Sequence, residues 1–306
     1  MNRAAVPVIH RKSQQNINFF GVLSLFLLLF TLLAANAYAK PAKTALTLAV
    51  LDFRGADVAR ARWQPLADFI ATTLQTEVTL VPLQHTELLA LAGQTDLLLS
   101  NPVVTSQLLK YQPNYQVVAT LNSQAYGDAF AGDIIVHRDS PLHSMAQLQG
   151  RVIGVVNQST SAGGFLFQAY ELVKLGWQPL SNYVQFATLN NQYAILQRVA
   201  NKQVDAGFVR SGLIADAKEY DPTLFRVLPP ANPADSPHTT PKYPHWGVVV
   251  SDSLTAQQIS QVKMALLSLS ASSPVATAAG IKGFVAAADY QAITELLNQI
   301  QPALEK

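Results

Sequence analysis

The sequence predicts an α/β protein of two lobes with a cleft between them. Three observations carry this. From residue 46 onward, short apolar strand-like runs alternate with stretches of helical spacing, the rhythm of a parallel sheet covered by helices. The alternation pauses at Asp139-Ser140-Pro141, a turn in which proline presets the backbone, and then begins again. A proline-rich stretch, residues 229–244, leads back into one more strand, so the chain crosses twice between the units.

The first 39 residues stand apart from the fold. Arg3, Arg11 and Lys12 precede an apolar run, no acidic residue occurs, and Ala37-Tyr38-Ala39 has the small-x-small form of a signal-peptidase site. A cleaved secretory signal is expected, with no stable membrane insertion afterwards. An uncleaved anchor is the alternative, since residues 19–35 approach the roughly 17 apolar residues needed to span a bilayer.

Residues 46–53 (LTLAVLDF) read as a strand. Residues 59–74 then place Trp63, Leu66, Ala67, Ile70 and Leu74 at helical spacing. Strand 77–83, helix 86–92, strand 95–100, helix 103–111 and strand 115–121 follow. Residues 132–137 (GDIIVH) begin something different, with the first crossing expected near residues 134–137. The second unit has a short helix near 145–148 and strand 151–156. Its next helix runs to Leu175 and is closed by Gly176. Strand 183–187, helix 192–200 and strand 204–209 complete it. After the proline-rich link come strand 246–251 and helices 255–270 and 290–300. The expected organisation is signal 1–39, first lobe 40–136, second lobe 137–240, and return to the first lobe with C-terminal helices over 241–306.

Charge narrows the partners. The chain has 21 Lys and Arg against 19 Asp and Glu. The signal segment holds three of the cations and none of the anions, so residues 40–306 are nearly neutral and give no electrostatic case for nucleic acid or anionic lipid. Cysteine is absent, which excludes a lipoprotein anchor on Cys, disulfides and a thiol nucleophile.

Candidate binding residues gather at strand ends, where open α/β sheets collect ligands. In VVNQSTSAGGF, Ser159, Thr160 and Ser161 stand between a strand and a helix and are followed by Gly163-Gly164. The first amides of a helix point outward with the positive end of its dipole and favour an anion. Helix capping by Thr160 or Ser161 is the plainer alternative. A Gly-Lys-Ser/Thr ending is missing, so this is no nucleotide-phosphate loop. Arg54 follows the first strand and Arg210 the strand at 204–209; each guanidinium can hold an oxyanion with two parallel hydrogen bonds or form a surface ion pair. Asn101 ends strand 95–100 and either donates to a ligand or caps the next helix. Gln192 and Tyr193 open a helix and serve either binding or packing. Asp205 is expected to hold a strand end or Arg210. His238 and His245 flank Tyr243 without further ligands at metal spacing, and both are expected to be incidental. No Gly-x-Ser-x-Gly elbow or His-Glu-x-x-His occurs, so neither an enzyme nor a cofactor is expected.

Several runs in the same order carry a resemblance. Leu51-Asp52-Phe53-Arg54-Gly55, Arg62-Trp63-Gln64-Pro65-Leu66-Ala67-Asp68, Leu148-Gln149-Gly150-Arg151, Ser159-Thr160-Ser161 and Val204-Asp205-Ala206-Gly207 resemble the PhnD-like phosphate, phosphite and phosphonate periplasmic solute-binding proteins. The run from Arg62, together with Val209-Arg210-Ser211-Gly212, Tyr243-Pro244-His245-Trp246 and Asp289-Tyr290-Gln291, is also similar to the periplasmic sensor domain of tetrathionate-type sensor histidine kinases. The resemblance implies a type II periplasmic binding fold that traps its ligand by hinge closure. It also implies that Ser159, Thr160 and Ser161 grip phosphonate oxygens and that Tyr243 belongs to the ligand set. Where aminoalkylphosphonate binders carry a carboxylate for the ligand's ammonium, this chain has Arg210, and a cation there favours a more anionic ligand. The expected activity is capture of a small phosphorus or sulfur oxyanion in the periplasm for an ABC permease, or alternatively for a membrane sensor kinase. An enzyme acting on an anionic substrate is the less favoured class.

Overall fold

The computed structural model describes Met1 and residues 41–52, 54–231 and 236–304. The signal segment expected at residues 1–39 lies, apart from Met1, outside the described residues.

The first sheet has six strands in the order β13-β4-β12-β3-β1-β2. These are β1 (Ala45–Leu51), β2 (Glu77–Leu83), β3 (Leu97–Ser100), β4 (Tyr115–Ser123), β12 (Gly247–Ser251) and β13 (Ile281–Ala286). β1 is parallel to both β2 and β3, whereas β12 enters antiparallel between β3 and β4. A return strand inserted into a parallel sheet is what two crossings require. Helices α1 (Ala56–Leu74), α2 (His85–Leu91), α3 (Pro102–Tyr111), α7 (Ala256–Ser268) and α8 (Pro274–Ala279) belong to this lobe. The apolar spacing of α1 buries Ala59, Trp63, Leu66, Ala67 and Ile70. Trp63 is 1% exposed and stacks on Trp246 with centroids 6.4 Å apart, an aromatic anchor under the cleft.

The second sheet has the order β10-β6-β9-β7-β8, from β6 (Gly132–His137), β7 (Val152–Val155), β8 (Gln185–Thr188), β9 (Ala206–Arg210) and β10 (Phe225–Val227). α4 (Phe167–Lys174), entered through a wider helical turn at Ala162–Leu166, α5 (Gln192–Ala200) and α6 (Leu213–Asp216) complete it. The short helix expected near 145–148 is a single 3₁₀ turn, Met145–Leu148. Between the sheets, β5 (Ala129–Phe130) pairs antiparallel with β11 (Tyr243–Pro244). This two-stranded ribbon is where both passages of the chain cross, so the first crossing comes earlier than expected: residues 132–137 belong wholly to the second sheet. Pro244 is tolerated because the ribbon has no further neighbour to accept from it.

The elements absent from the sequence expectation are short or peripheral. β5, β10 and β11 have two or three residues each, too few for a period to show. β13 is an edge strand, paired only to β4. α9 (Gln291–Leu304) ends the described chain, buries Ile293, Leu296, Ile300 and Ala303, and contacts α3 of one lobe and α4 of the other.

Candidate functional site

A cavity of about 570 Å³ lies between the sheets at their strand ends. Its walls come from both lobes, and each wall has a local cause. After β1, the Asp52 carboxylate accepts the Arg54 and Gly55 amides at 3.0 and 2.6 Å. Gly55 turns at φ +104°, a conformation only glycine adopts without strain, and the loop so made holds Arg54 at the mouth. There the Arg54 guanidinium lies 5.4 Å from the Tyr193 ring of the opposite lobe.

The second wall is the turn that the sequence singled out. Asn157 is its hub: its Oδ1 accepts the amides of Ser159 and Thr160 and the hydroxyls of both, at 2.8–3.0 Å. The three hydroxyls therefore divide. Ser159 is exposed and Thr160 is buried in the turn, while Ser161, with Ala162 and Gly163, lines the cavity. Ser161 occupies the N-cap position yet makes no side-chain cap bond, and the bonds to Asn157 close the turn ahead of the helix rather than cap it. Gly163 is required by proximity, since a Cβ there would stand 3.0 Å from both the Arg210 Cβ and the Phe130 ring.

The third wall is Arg210 at the end of β9. Its Nη2 meets Asp216 Oδ2 at 2.5 Å and its Nη1 donates to the Ser211 carbonyl. Its amide donates to Gln192 Oε1 at 2.7 Å, and the Tyr126 ring of the first lobe lies 5.3 Å from its guanidinium. Burial opposes the charge on Arg210, but Asp216 and Tyr126 more than offset it and hold its pKa above the usual arginine value. Tyr126 also donates to the Gly212 carbonyl at 3.0 Å, which ties the lobes across the mouth.

Two cavity residues fall outside the sequence expectation. Arg62 projects from α1, its Nε donating to the Ala279 carbonyl at 2.9 Å and its guanidinium 4.7 Å from the Trp63 ring. Burial, then the charges of Arg210 and Arg54, pull its pKa down to about 10, leaving it charged at neutral pH. A signal existed: Arg62 stands three residues after Ala59 and four before Leu66, so it is a cation on the buried face of an amphipathic helix. His245, expected to be incidental, lines the cavity beside Phe130, with centroids 5.0 Å apart. Burial and the charges of Arg210 and Arg62 push its pKa down to about 3. The imidazole is neutral.

Tyr243 departs from its expectation, and Asn101 and Asp205 each take one of the two roles expected of them. Tyr243 does not reach the cavity; it is buried in the crossing ribbon, 4.4 Å from Phe167 by ring centroid, and burial pushes its phenol pKa up. Asn101 lines the cavity but both ends of its amide are engaged, Oδ1 capping α3 and Nδ2 donating to the Thr160 carbonyl at 2.9 Å. Asp205 holds the Val152 amide and stands 3.8 Å from Arg151, leaving Arg210 to Asp216. His238 pairs with Asp133 at 3.1 Å.

The arrangement suits an anion. Among the described residues, Arg54, Arg62, Arg210 and Lys218 face the cavity against one carboxylate, Asp216. Arg54 and Arg62 have no carboxylate partner among the described residues. No group of three or more His, Asp or Glu among the described residues is placed to hold a metal ion, and no described helix is long and apolar enough to cross a membrane.

Two α/β lobes, a return strand within the first sheet, a crossing ribbon and an interlobe cavity define a type II periplasmic binding fold. Residues 48–291 match the family described as ABC transporter, phosphonate, periplasmic substrate-binding protein, and the chain belongs to that family. Solved structures agree in fold. PhnD1 from Prochlorococcus marinus in complex with methylphosphonate is similar at 15% identity, covering 85% of this chain and 99% of its own, with TM-score 0.68. XAC2383 from Xanthomonas citri bound to chloride is similar at 20% identity, covering 85% and 99%, with TM-score 0.68. A binding protein component of an ABC phosphonate transporter from Pseudomonas aeruginosa is similar at 13% identity, covering 84% and 87%, with TM-score 0.66. No curated protein matches the sequence.

Proposed function

We propose that this protein captures a small phosphorus or sulfur oxyanion in the periplasm by closing its lobes, and delivers it to an ABC permease. One observation carries the proposal: three guanidiniums from both lobes, Arg54 and Arg62 from the first and Arg210 from the second, face one cavity with a helix start at Ser161. Like charges held together in a half-buried space repel, and an anion between them removes that repulsion while gaining charge-assisted hydrogen bonds. Family membership supports both the ligand class and the transporter partner. In this reading Arg54, Arg62 and Arg210 neutralise the ligand. Ser161, the Ala162 and Gly163 amides and Gln192 Nε2 donate to it, and Tyr193 positions Arg54. Ser159 and Thr160 act through the Asn157 turn.

The test is titration calorimetry with phosphate, phosphite, methylphosphonate, sulfate, thiosulfate and tetrathionate. At least one is expected to bind, and Arg54→Ala is expected to weaken that ligand about 10- to 100-fold, the range for a hydrogen bond to a charged group. Silence from every anion at millimolar concentration would sink the proposal.

A further inference from the structure

The cavity is rich in donors and holds most of its side-chain acceptors in bonds of its own. Asn101 Oδ1 takes the Val103 and Val104 amides at 2.9 and 3.2 Å. Asn191 Oδ1 takes the Ala194 amide at 3.0 Å, and Gln192 Oε1 takes the Arg210 amide at 2.7 Å. The cavity's carboxylate, Asp216, is held by Arg210 at 2.5 Å. His245 completes the pattern: its Nδ1 accepts the Trp246 amide at 2.8 Å. A neutral imidazole whose Nδ1 accepts must carry its proton on Nε2, so the ring nitrogen left over for a ligand is a donor. The carboxamides of Gln124 and Asn190 belong to exposed residues at the rim.

The chemical consequence concerns protons on the ligand. An ionised oxyanion accepts at every oxygen, and guanidiniums, the His245 Nε2–H, the free amides of Asn191 and Gln192 and the helix start can all donate to it. A ligand that keeps an O–H brings a donor into a wall of donors. Of the cavity hydroxyls, Ser123 already takes the Ala125 amide at 3.3 Å and Tyr126 spends its proton on the Gly212 carbonyl at 3.0 Å; those of Ser161 and Tyr193 can turn to accept the ligand proton, but a hydroxyl so turned no longer donates to the anion.

We propose that this cleft selects a fully ionised oxyanion, such as sulfate, another sulfur oxyanion or a doubly ionised phosphonate, and rejects one that retains a proton, such as hydrogen phosphate. The proposal deepens the oxyanion reading and rests on it. Leaving one buried hydrogen-bonding group unsatisfied corresponds to a discrimination of about 5- to 150-fold.

Two pairs of probes separate proton from charge, because the members of each match in shape and charge. At about pH 8 sulfate and hydrogen phosphate are both dianions. At about pH 5 methanesulfonate and hydrogen methylphosphonate are both monoanions, the latter corrected for its dianion fraction. Titration calorimetry of the whole protein is expected to find the unprotonated member of each pair that binds tighter by about 5- to 150-fold. Equal or tighter binding of the protonated member overturns the proposal while leaving the oxyanion reading intact. It would mean that an acceptor in the wall takes the ligand proton, and loss of phosphate binding in Asp216→Asn would assign that role to Asp216 rather than to a hydroxyl. If no probe of either pair, nor any anion of the wider panel, binds, both readings fall together.

Discussion

Arg210 and Asp216 form a pair whose members pull in opposite directions on an anion. The guanidinium attracts it, while the carboxylate is tied up by the same guanidinium. Arg210→Ala therefore does two things: it removes a cation and leaves Asp216 as an unpaired negative charge lining the cavity. We expect Arg210→Ala to weaken the ligand more than Arg54→Ala does, because Arg54 has no carboxylate to orphan. Adding Asp216→Asn to Arg210→Ala should restore part of the loss, a coupling within the roughly 0.5–3 kcal/mol typical of contacting residues. Additive effects in that cycle would show that the pair does not act as a unit. His245 makes a separate, pH-dependent prediction. Its pKa sits at about 3 in the fold against about 6.5 unfolded, so the unfolded chain takes up a proton that the fold refuses. Stability from this group is full above about pH 6.5 and declines as pH falls toward 3. His245→Gln should flatten the urea-midpoint profile between about pH 7 and pH 5, before most carboxylates titrate; parallel profiles for parent and variant would refute this. At this scale the sequence revealed the residues placed by their own strand, Arg54 and Arg210. It hid Arg62 and His245, whose role depends on what the other lobe and the crossing ribbon bring near them.

Among the elements, α9 has the broadest reach. Thr294 meets Ser106 at 2.7 Å and Asn298 meets Lys110 at 2.9 Å, both on α3 of the first lobe. Gln299 accepts from Tyr170 on α4 of the second lobe at 2.9 Å. Leu296 and Ile300, each 1% exposed, lie in an apolar cluster with Val103 and Leu172. A helix with one apolar stripe on two partners braces the lobes as well as covering them. Leu296→Ala or Ile300→Ala should each cost about 2–5 kcal/mol by denaturant unfolding, the range for a deleted buried side chain. A cost below about 1 kcal/mol would mean that α9 is loosely docked. The stripe itself was legible, since the 3.6-residue period needs only the helix's own sequence. Its two partners were not, and neither was β13, whose IKGFVA run becomes a strand only through pairing with β4, which lies far back in the chain. The place where the chain passes between the sheets is hidden for a related reason. GDIIVH shows strand character plainly, but nothing local says to which sheet it belongs.

For the whole molecule, the question is whether two sheets unfold as two bodies. The apolar cluster that holds Ile153 and Phe208 of the second lobe also holds Val103 of the first, Phe130 and Tyr243 of the ribbon, and Ile293 of α9. Polar ties across the mouth add Tyr126 to Gly212 and Asn101 to Thr160. A core continuous through the crossing makes unfolding of one lobe expose apolar surface of the other, which couples them into one cooperative transition. Ligand placed between the lobes then stabilises the entire unit rather than one half. At one hundred times its dissociation constant a ligand that binds only the folded state contributes about 2.7 kcal/mol. At about 2–4 °C per kcal/mol for a chain of this size, the whole melting transition should move up by about 5–10 °C. Scanning calorimetry with and without the tightest anion measures it. A single endotherm that shifts intact is the expected result; two resolved endotherms, of which the anion moves only one, would show that the lobes melt independently and that the shared core does not couple them.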